Sequence, residues 1–164
     1  MVPLVASDRS APSFRLSALD GLTYAQGDGE PGPWRLLVFF HTGCPTTPLV
    51  LPYLQRMSDA YAGPGFAIWG ISQDPAEATA SFVRALGVRF PILLDQNGLA
   101  SRAYGIHTVP TLILIDDGNL VRWVGMGLNK ESLNTLALEI GLRLRRDPVV
   151  VAPMDDGIPV FRPG

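Results

Sequence analysis

The chain carries one cysteine, Cys44, inside Phe39-Phe40-His41-Thr42-Gly43-Cys44-Pro45-Thr46-Thr47-Pro48. An apolar run precedes it and a helix-like pattern follows, so the sulfur is expected in the first turn of a helix. There, free backbone N–H groups and the positive end of the macrodipole favour thiolate over thiol. Such a cysteine is a candidate nucleophile. Thr47, three residues on, would share its helical face and could donate a hydrogen bond to the thiolate. Pro48 has no N–H, which would leave the Cys44 carbonyl free while the Thr46 and Thr47 amides point toward the sulfur. The competing reading is a buried, inert cysteine.

His41 and His107 are the only histidines, three residues before Cys44 and three before Pro110. Either could stabilise a thiolate or move a proton, although loop histidines commonly have no chemical role, and that plainer reading is favoured here. A single cysteine allows no internal disulfide and no all-cysteine metal site. Cys44 with both histidines would still lack a fourth ligand, so no metal and no other cofactor is expected.

Apolar runs bounded by Gly and Pro predict strands at 34–40, 66–72, 91–95, 111–116 and 120–125, the last two joined by an Asp117-Gly118-Asn119 turn. Helical spacing appears in Val50, Leu54, Met57 and Tyr61, in Ala78, Phe82 and Leu86, and in Leu133, Leu136 and Ile140, with a shorter helix at 99–104. The second helix is expected to start with Asp74 as its cap and Pro75 at its first position, and to end at Gly87; the third should start at Asn129. Asp20-Gly21 suits a tight turn between strands at 14–19 and 22–26. This order predicts an α/β fold, a three-layer α/β/α sandwich with a mixed central sheet and an N-terminal β-hairpin. Residues 1–144 are expected to form that domain. Residues 145–164, with Pro148, Pro153, Pro159 and Pro163, are read as an extended tail without regular structure, laid over the body through residues 149–151 and Phe161.

The 164 residues include 13 Lys+Arg against 15 Asp+Glu, and 47% are apolar, enough for one core and no basic stripe. Nucleic acid and anionic membrane are therefore not expected partners. No run approaches the length of a membrane span, and Met1–Arg9 lacks a basic then apolar leader pattern. The expectation is a cytoplasmic protein, or an exported one if a signal segment has been removed.

Ala11-Pro12-Ser13-Phe14-Arg15-Leu16, Val38-Phe39-Phe40, Cys44 before a helix, Leu51-Pro52-Tyr53-Leu54, Ile68-Trp69-Gly70-Ile71-Ser72, Phe90-Pro91-Ile92-Leu93-Leu94-Asp95, Tyr104-Gly105-Ile106 and Val109-Pro110-Thr111-Leu112-Ile113-Leu114-Ile115-Asp116 occur in an informative order. Together they resemble the redoxin (AhpC/TSA) branch of the thioredoxin superfamily, and within it the TlpA/ResA-like thiol-disulfide oxidoreductases. The resemblance implies a cis Val109-Pro110 peptide facing Cys44 across a groove. Val109, Pro110, Thr46 and Pro45 would then contact substrate, with the Val109 backbone pairing with a peptide. Members usually carry Trp-Cys-x-x-Cys-x-x-Glu-x-Pro, whereas here Gly43, Thr47 and Val50 replace the tryptophan, the second cysteine and the acid, and Pro52 keeps the helix proline.

Without a second thiol, a mixed disulfide at Cys44 cannot be resolved internally, and turnover needs an outside thiol. The leading expectation is therefore a single-cysteine thiol-disulfide oxidoreductase with Cys44 and Thr47 as its catalytic pair. Its partners would be a disulfide-containing protein or small thiol, and an external reductant, either thioredoxin-like or a low-molecular-weight thiol. Cys-x-x-Thr also resembles the active-site turn of glutathione peroxidases, which makes a one-cysteine, thiol-dependent antioxidant peroxidase the alternative. A redox-inactive peptide-binding module is the third.

Overall fold

A computed structural model describes residues 2–27, 29 and 32–164. Its elements are β1 (Phe14–Ser17), β2 (Thr23–Gln26), β3 (Trp34–Phe40), α1 (Thr47–Tyr61), β4 (Phe66–Ser72), α2 (Ala76–Ala85), β5 (Ile92–Leu94), α3 (Leu99–Ala103), β6 (Thr111–Ile115), β7 (Val121–Met126), β8 (Leu128–Asn129), α4 (Lys130–Arg143) and β9 (Phe161–Arg162). The central sheet runs β5-β4-β3-β6-β7; β3 pairs in parallel with β4 and antiparallel with β6, and β7 closes the edge antiparallel to β6. No helix among the described residues is long and apolar enough to cross a membrane.

Strand β3 reads Leu-Leu-Val-Phe-Phe without alternation because both of its faces are covered. Leu36, Val38 and Phe40 face a core built with Val50, Leu54 and Met57 of α1 and Leu133, Leu136 and Ile140 of α4. Leu37 and Phe39 face the opposite core, with Ala100, Tyr104 and the hairpin residues Phe14 and Leu16. Full burial of a large apolar side chain contributes roughly 1.5–3 kcal/mol, so this strand is a firmly held base for the turn that follows it. Since β3 and β6 are antiparallel, with Phe39 opposite Thr111, the end of β3 and the start of β6 meet side by side at one end of the sheet. The topology thereby brings the Cys44 turn beside Val109 and Pro110.

Several local expectations change. Helix α1 starts at Thr47, with Thr46 as its N-cap and Pro48 in its first turn, so Cys44 lies in the turn before the helix. Helix α2 is capped by Pro75 rather than Asp74; the Asp74 carboxylate instead accepts the Thr42 N–H at 2.5 Å, tying the Cys44 turn to the end of β4. The β1–β2 connection takes residues 18–22, with Gly21 at φ +80° and the Asp20 carboxylate holding Leu22 N–H and Tyr24 O–H. Asn129 caps α4 through Ser132 N–H, as its position suggested.

The tail is partly built into the body. Val151 and Ala152 are fully buried, and Asn134 on α4 takes both of their N–H groups and donates to the Ala152 carbonyl. Val149 and Val150 are exposed, so only one of the three valines packs. Phe161 does not pack either: it and Arg162 form β9, antiparallel to β8, which corrects the reading of this segment as wholly irregular. Main-chain pairing with a partner distant in sequence overrides the local proline signal.

Candidate active site

The turn carrying Cys44 is fixed at three points. Thr42 N–H is held by Asp74, Gly43 N–H donates to His41 Nδ1 at 3.1 Å, and Cys44 N–H reaches the His41 carbonyl at 3.4 Å. The Cys44 Sγ donates to the Val109 carbonyl at 3.2 Å, a contact that requires the S–H proton and so describes the thiol form. The Val109-Pro110 bond is cis. Thr111 Oγ1 donates back to the Thr108 carbonyl at 2.5 Å, and Gly127 N–H donates to the Pro110 carbonyl at 2.8 Å, so the facing loop is braced from both sides. Cys44 itself is 6% exposed.

Cys44 and Val109 are thus brought into direct contact, with Pro110 buried beside them. Thr46 is buried and donates from Oγ1 to the Pro163 carbonyl at 2.7 Å, while Pro45 is exposed next to it. Thr47 is fully buried, and its Oγ1 has no hydrogen-bond partner. The bond expected from Thr47 to the sulfur is therefore not made in this state. The reason is geometric: the helix begins at Thr47, so residues 44 and 47 are not one helical turn apart, and the sulfur proton is directed to Val109 instead. His41 uses Nδ1 to accept from Gly43, which leaves its proton on Nε2 in the neutral ring. His107 is exposed and engages the Val2 carbonyl at 2.9 Å, turned to the N-terminal segment rather than to the site.

The tail reaches this site through an anchor that sequence reasoning missed. Lys130 is fully buried; its Nζ donates to the carbonyls of Pro153 and Ile158 at 2.7 Å and to Asp156 Oδ1 at 2.6 Å. Tyr53 O–H donates to the other Asp156 oxygen at 2.5 Å. The hydrogen bond from Lys130, then that from Tyr53, holds the Asp156 carboxyl well below the usual carboxylate range. Burial, and then the bond to Asp156, pushes the Tyr53 phenol up. Next to the Asn129 cap, Lys130 reads in sequence as a solvated first-turn lysine, and no local signal marks it as buried. Gly125-Met126-Gly127 did offer a clue, since paired glycines in a strand signal close backbone approach.

Comparison with known proteins agrees with this geometry. Residues 8–124 match the AhpC/TSA family. The thiol-disulfide oxidoreductase ResA of Geobacillus thermodenitrificans is 30% identical over 131 residues, covering 79% of this chain and 75% of that protein. ResA of Halalkalibacterium halodurans is 31% identical over 121 residues, 73% and 68% of the two chains. A thiol-disulfide oxidoreductase from Bacteroides fragilis superposes with a TM-score of 0.70 at 25% identity, over 80% of this chain and 99% of that one. The thioredoxin domain of an oxidoreductase from Bacteroides vulgatus gives 0.71 at 23% identity over 80% and 96%, which speaks to the fold alone. With a thioredoxin-like sheet, a cysteine turn at the end of its central strand and relatives of this kind, the chain belongs to the AhpC/TSA family, among thioredoxin-fold thiol-disulfide oxidoreductases.

Proposed function

We propose that the protein exchanges thiols and disulfides through Cys44 alone. The observation that carries this reading is the contact between Cys44 Sγ and the Val109 carbonyl, which sets the sulfur against the backbone that a peptide substrate would use. In the first step Cys44 loses its proton to solvent and its thiolate attacks a substrate disulfide. One S–S bond forms, the substrate S–S bond breaks, and the departing thiolate takes up a proton. In the second step an external thiolate attacks the mixed disulfide, releasing the Cys44 thiolate and carrying the substrate sulfur away in a new disulfide. The unpartnered Thr47 hydroxyl is the donor that the anionic sulfur would use. Val109, Pro110, Thr46 and Pro45 form the substrate bed; His41 takes no part in the proton transfer, since its Nδ1 is occupied by Gly43 N–H and its Nε2 carries the ring proton.

The test is intact-mass analysis of the reduced protein after exposure to oxidised glutathione and, separately, to hydrogen peroxide. The expected product is one glutathione adduct at neutral pH, removed by dithiothreitol and absent from Cys44→Ser. Faster gain of a single oxygen would replace this reading with a peroxidase. No adduct of either kind, with the site uncovered as described below, would leave a peptide-binding module.

A further inference from the structure

We propose that Phe161–Gly164 is a self-bound strand lying across the groove beside Cys44, and that the groove's natural occupant is an extended polypeptide that takes its place; this rests on the reading of Thr46 and Val109 as a substrate bed. Strand β9 pairs antiparallel with β8, Arg162 opposite Leu128 and Phe161 opposite Asn129, and Lys130 N–H extends the ladder to the Val160 carbonyl at 2.9 Å. Pro163 has no N–H to continue the pairing, and its carbonyl turns to Thr46 Oγ1 instead. The next residue, Gly164, meets the Val109 carbonyl that accepts the Cys44 thiol. The segment thereby bridges the two residues that flank the sulfur.

The fit is backbone against backbone, and glycine permits it on both sides. A Cβ on Gly164 would lie 2.3 Å from the Val109 oxygen and 2.8 Å from Thr108 Cγ2. A Cβ on Gly127, on the opposing wall, would lie 2.5 Å from the Arg162 oxygen and 2.9 Å from Gly164 N. The strand buries little of its own: Phe161 is 61% exposed, and residues 159–164 are exposed throughout. It is held by main-chain contacts of the sort any extended chain can offer. Behind it, the Lys130 ammonium on the Pro153 and Ile158 carbonyls and the Asn134 side chain on Val151 and Ala152 fix residues 151–158 in place. A detachable strand thus follows a fixed anchor, with Pro159 between them. Such tethering keeps the strand at an effective concentration in the millimolar range, so it yields only to a partner of comparable binding strength.

The test follows iodoacetamide alkylation of Cys44 in the full chain, in a chain ending at Val160, and in Gly164→Ala, whose added Cβ collides with the Val109 backbone while leaving β8 and the core untouched. Both variants should alkylate at least about tenfold faster, equivalent to about 1.4 kcal/mol of closing free energy. Millimolar acetyl-Val-Phe-Arg-Pro-Gly should slow the reaction of the chain ending at Val160 again. Wild-type rates in both variants would overturn the cover, and a peptide that fails to protect would overturn the polypeptide as its replacement. An uncovered thiol that alkylates rapidly yet takes no adduct from oxidised glutathione would sink the thiol-disulfide reading while the self-bound strand stands.

Discussion

Replacing Thr47 by valine separates stability from chemistry at this site. The side chain is fully buried and its hydroxyl has no partner in the resting protein. A buried hydroxyl left unmatched costs about 1–3 kcal/mol, whereas valine has the same branched shape and nothing to satisfy. Thr47→Val should therefore stabilise the reduced protein by about 1–2 kcal/mol. For a chain of this length, at about 2–4 °C per kcal/mol, the melting midpoint should rise by roughly 2–8 °C. The proposed chemistry moves the opposite way, since the thiolate loses a donor whose charge-assisted hydrogen bond contributes about 1.5–3 kcal/mol. At fixed pH the glutathione adduct should then form about ten- to a hundredfold more slowly. Urea unfolding and calorimetry of the reduced proteins give the first quantity, and time-resolved intact mass gives the second. Thr47→Ser keeps the hydroxyl and should retain the rate, which a purely structural role would not require. A valine variant that is less stable, or one that reacts at the wild-type rate, refutes the reasoning.

The tail anchor and its pH dependence supply the remaining predictions. Lys130→Met keeps the volume but leaves two carbonyls and a carboxylate without the ammonium, and should lower stability by about 3 kcal/mol, read from the urea midpoint; a loss below about 1 kcal/mol would show that the buried ammonium is not the tail's anchor. The Asp156 carboxyl is depressed in the folded protein, so its contribution is present above its unfolded value, near 3.9, and is lost as pH falls through that value toward the folded one. Urea midpoints measured from pH 6 down to pH 2.5 should accordingly fall less steeply in Asp156→Asn than in the wild type. Parallel slopes would place the acid sensitivity elsewhere.

The central strands were legible because their cause is local. An unbroken apolar run such as Leu36–Phe40 has few alternatives to a strand covered on both faces, and Asn129 placed the start of α4 because its side chain caps that helix directly. The start of α1 was harder to read. Pro45 and Pro48 stand three apart, each suits a first helical turn, and only one can occupy it. Asp74 ahead of Pro75 has every local mark of a cap, yet its carboxylate serves Thr42, thirty-two residues away. Strand β9 is two residues between prolines, with no periodicity to reveal it, and exists because β8 offers unpaired backbone across a long loop. Sequence named Cys44, Thr46 and Val109 as candidate site residues, whereas the contacts of Pro163 and Gly164 with Thr46 and Val109, and the lysine that anchors the segment before them, are matters of tertiary contact.

A chain with one cysteine has no second thiol to retire a nucleophile between turnovers, so on the proposed reading restraint comes from the surroundings of that thiol. Two adjacent threonines divide the task. Thr46 has its hydroxyl engaged by Pro163, and Thr47 has its hydroxyl unengaged. The Cys44 proton, meanwhile, rests on the carbonyl that Gly164 also meets. On the proposed reading, an incoming chain that displaces the strand would free Thr46 and claim Val109 in one motion, and the same motion would take from the thiol the acceptor that held its proton. Thr47 would then be the donor that remains, and its hydrogen bond would favour the anion. On this account access and activation are a single equilibrium, so any substitution that loosens the strand should raise alkylation and adduct formation in proportion.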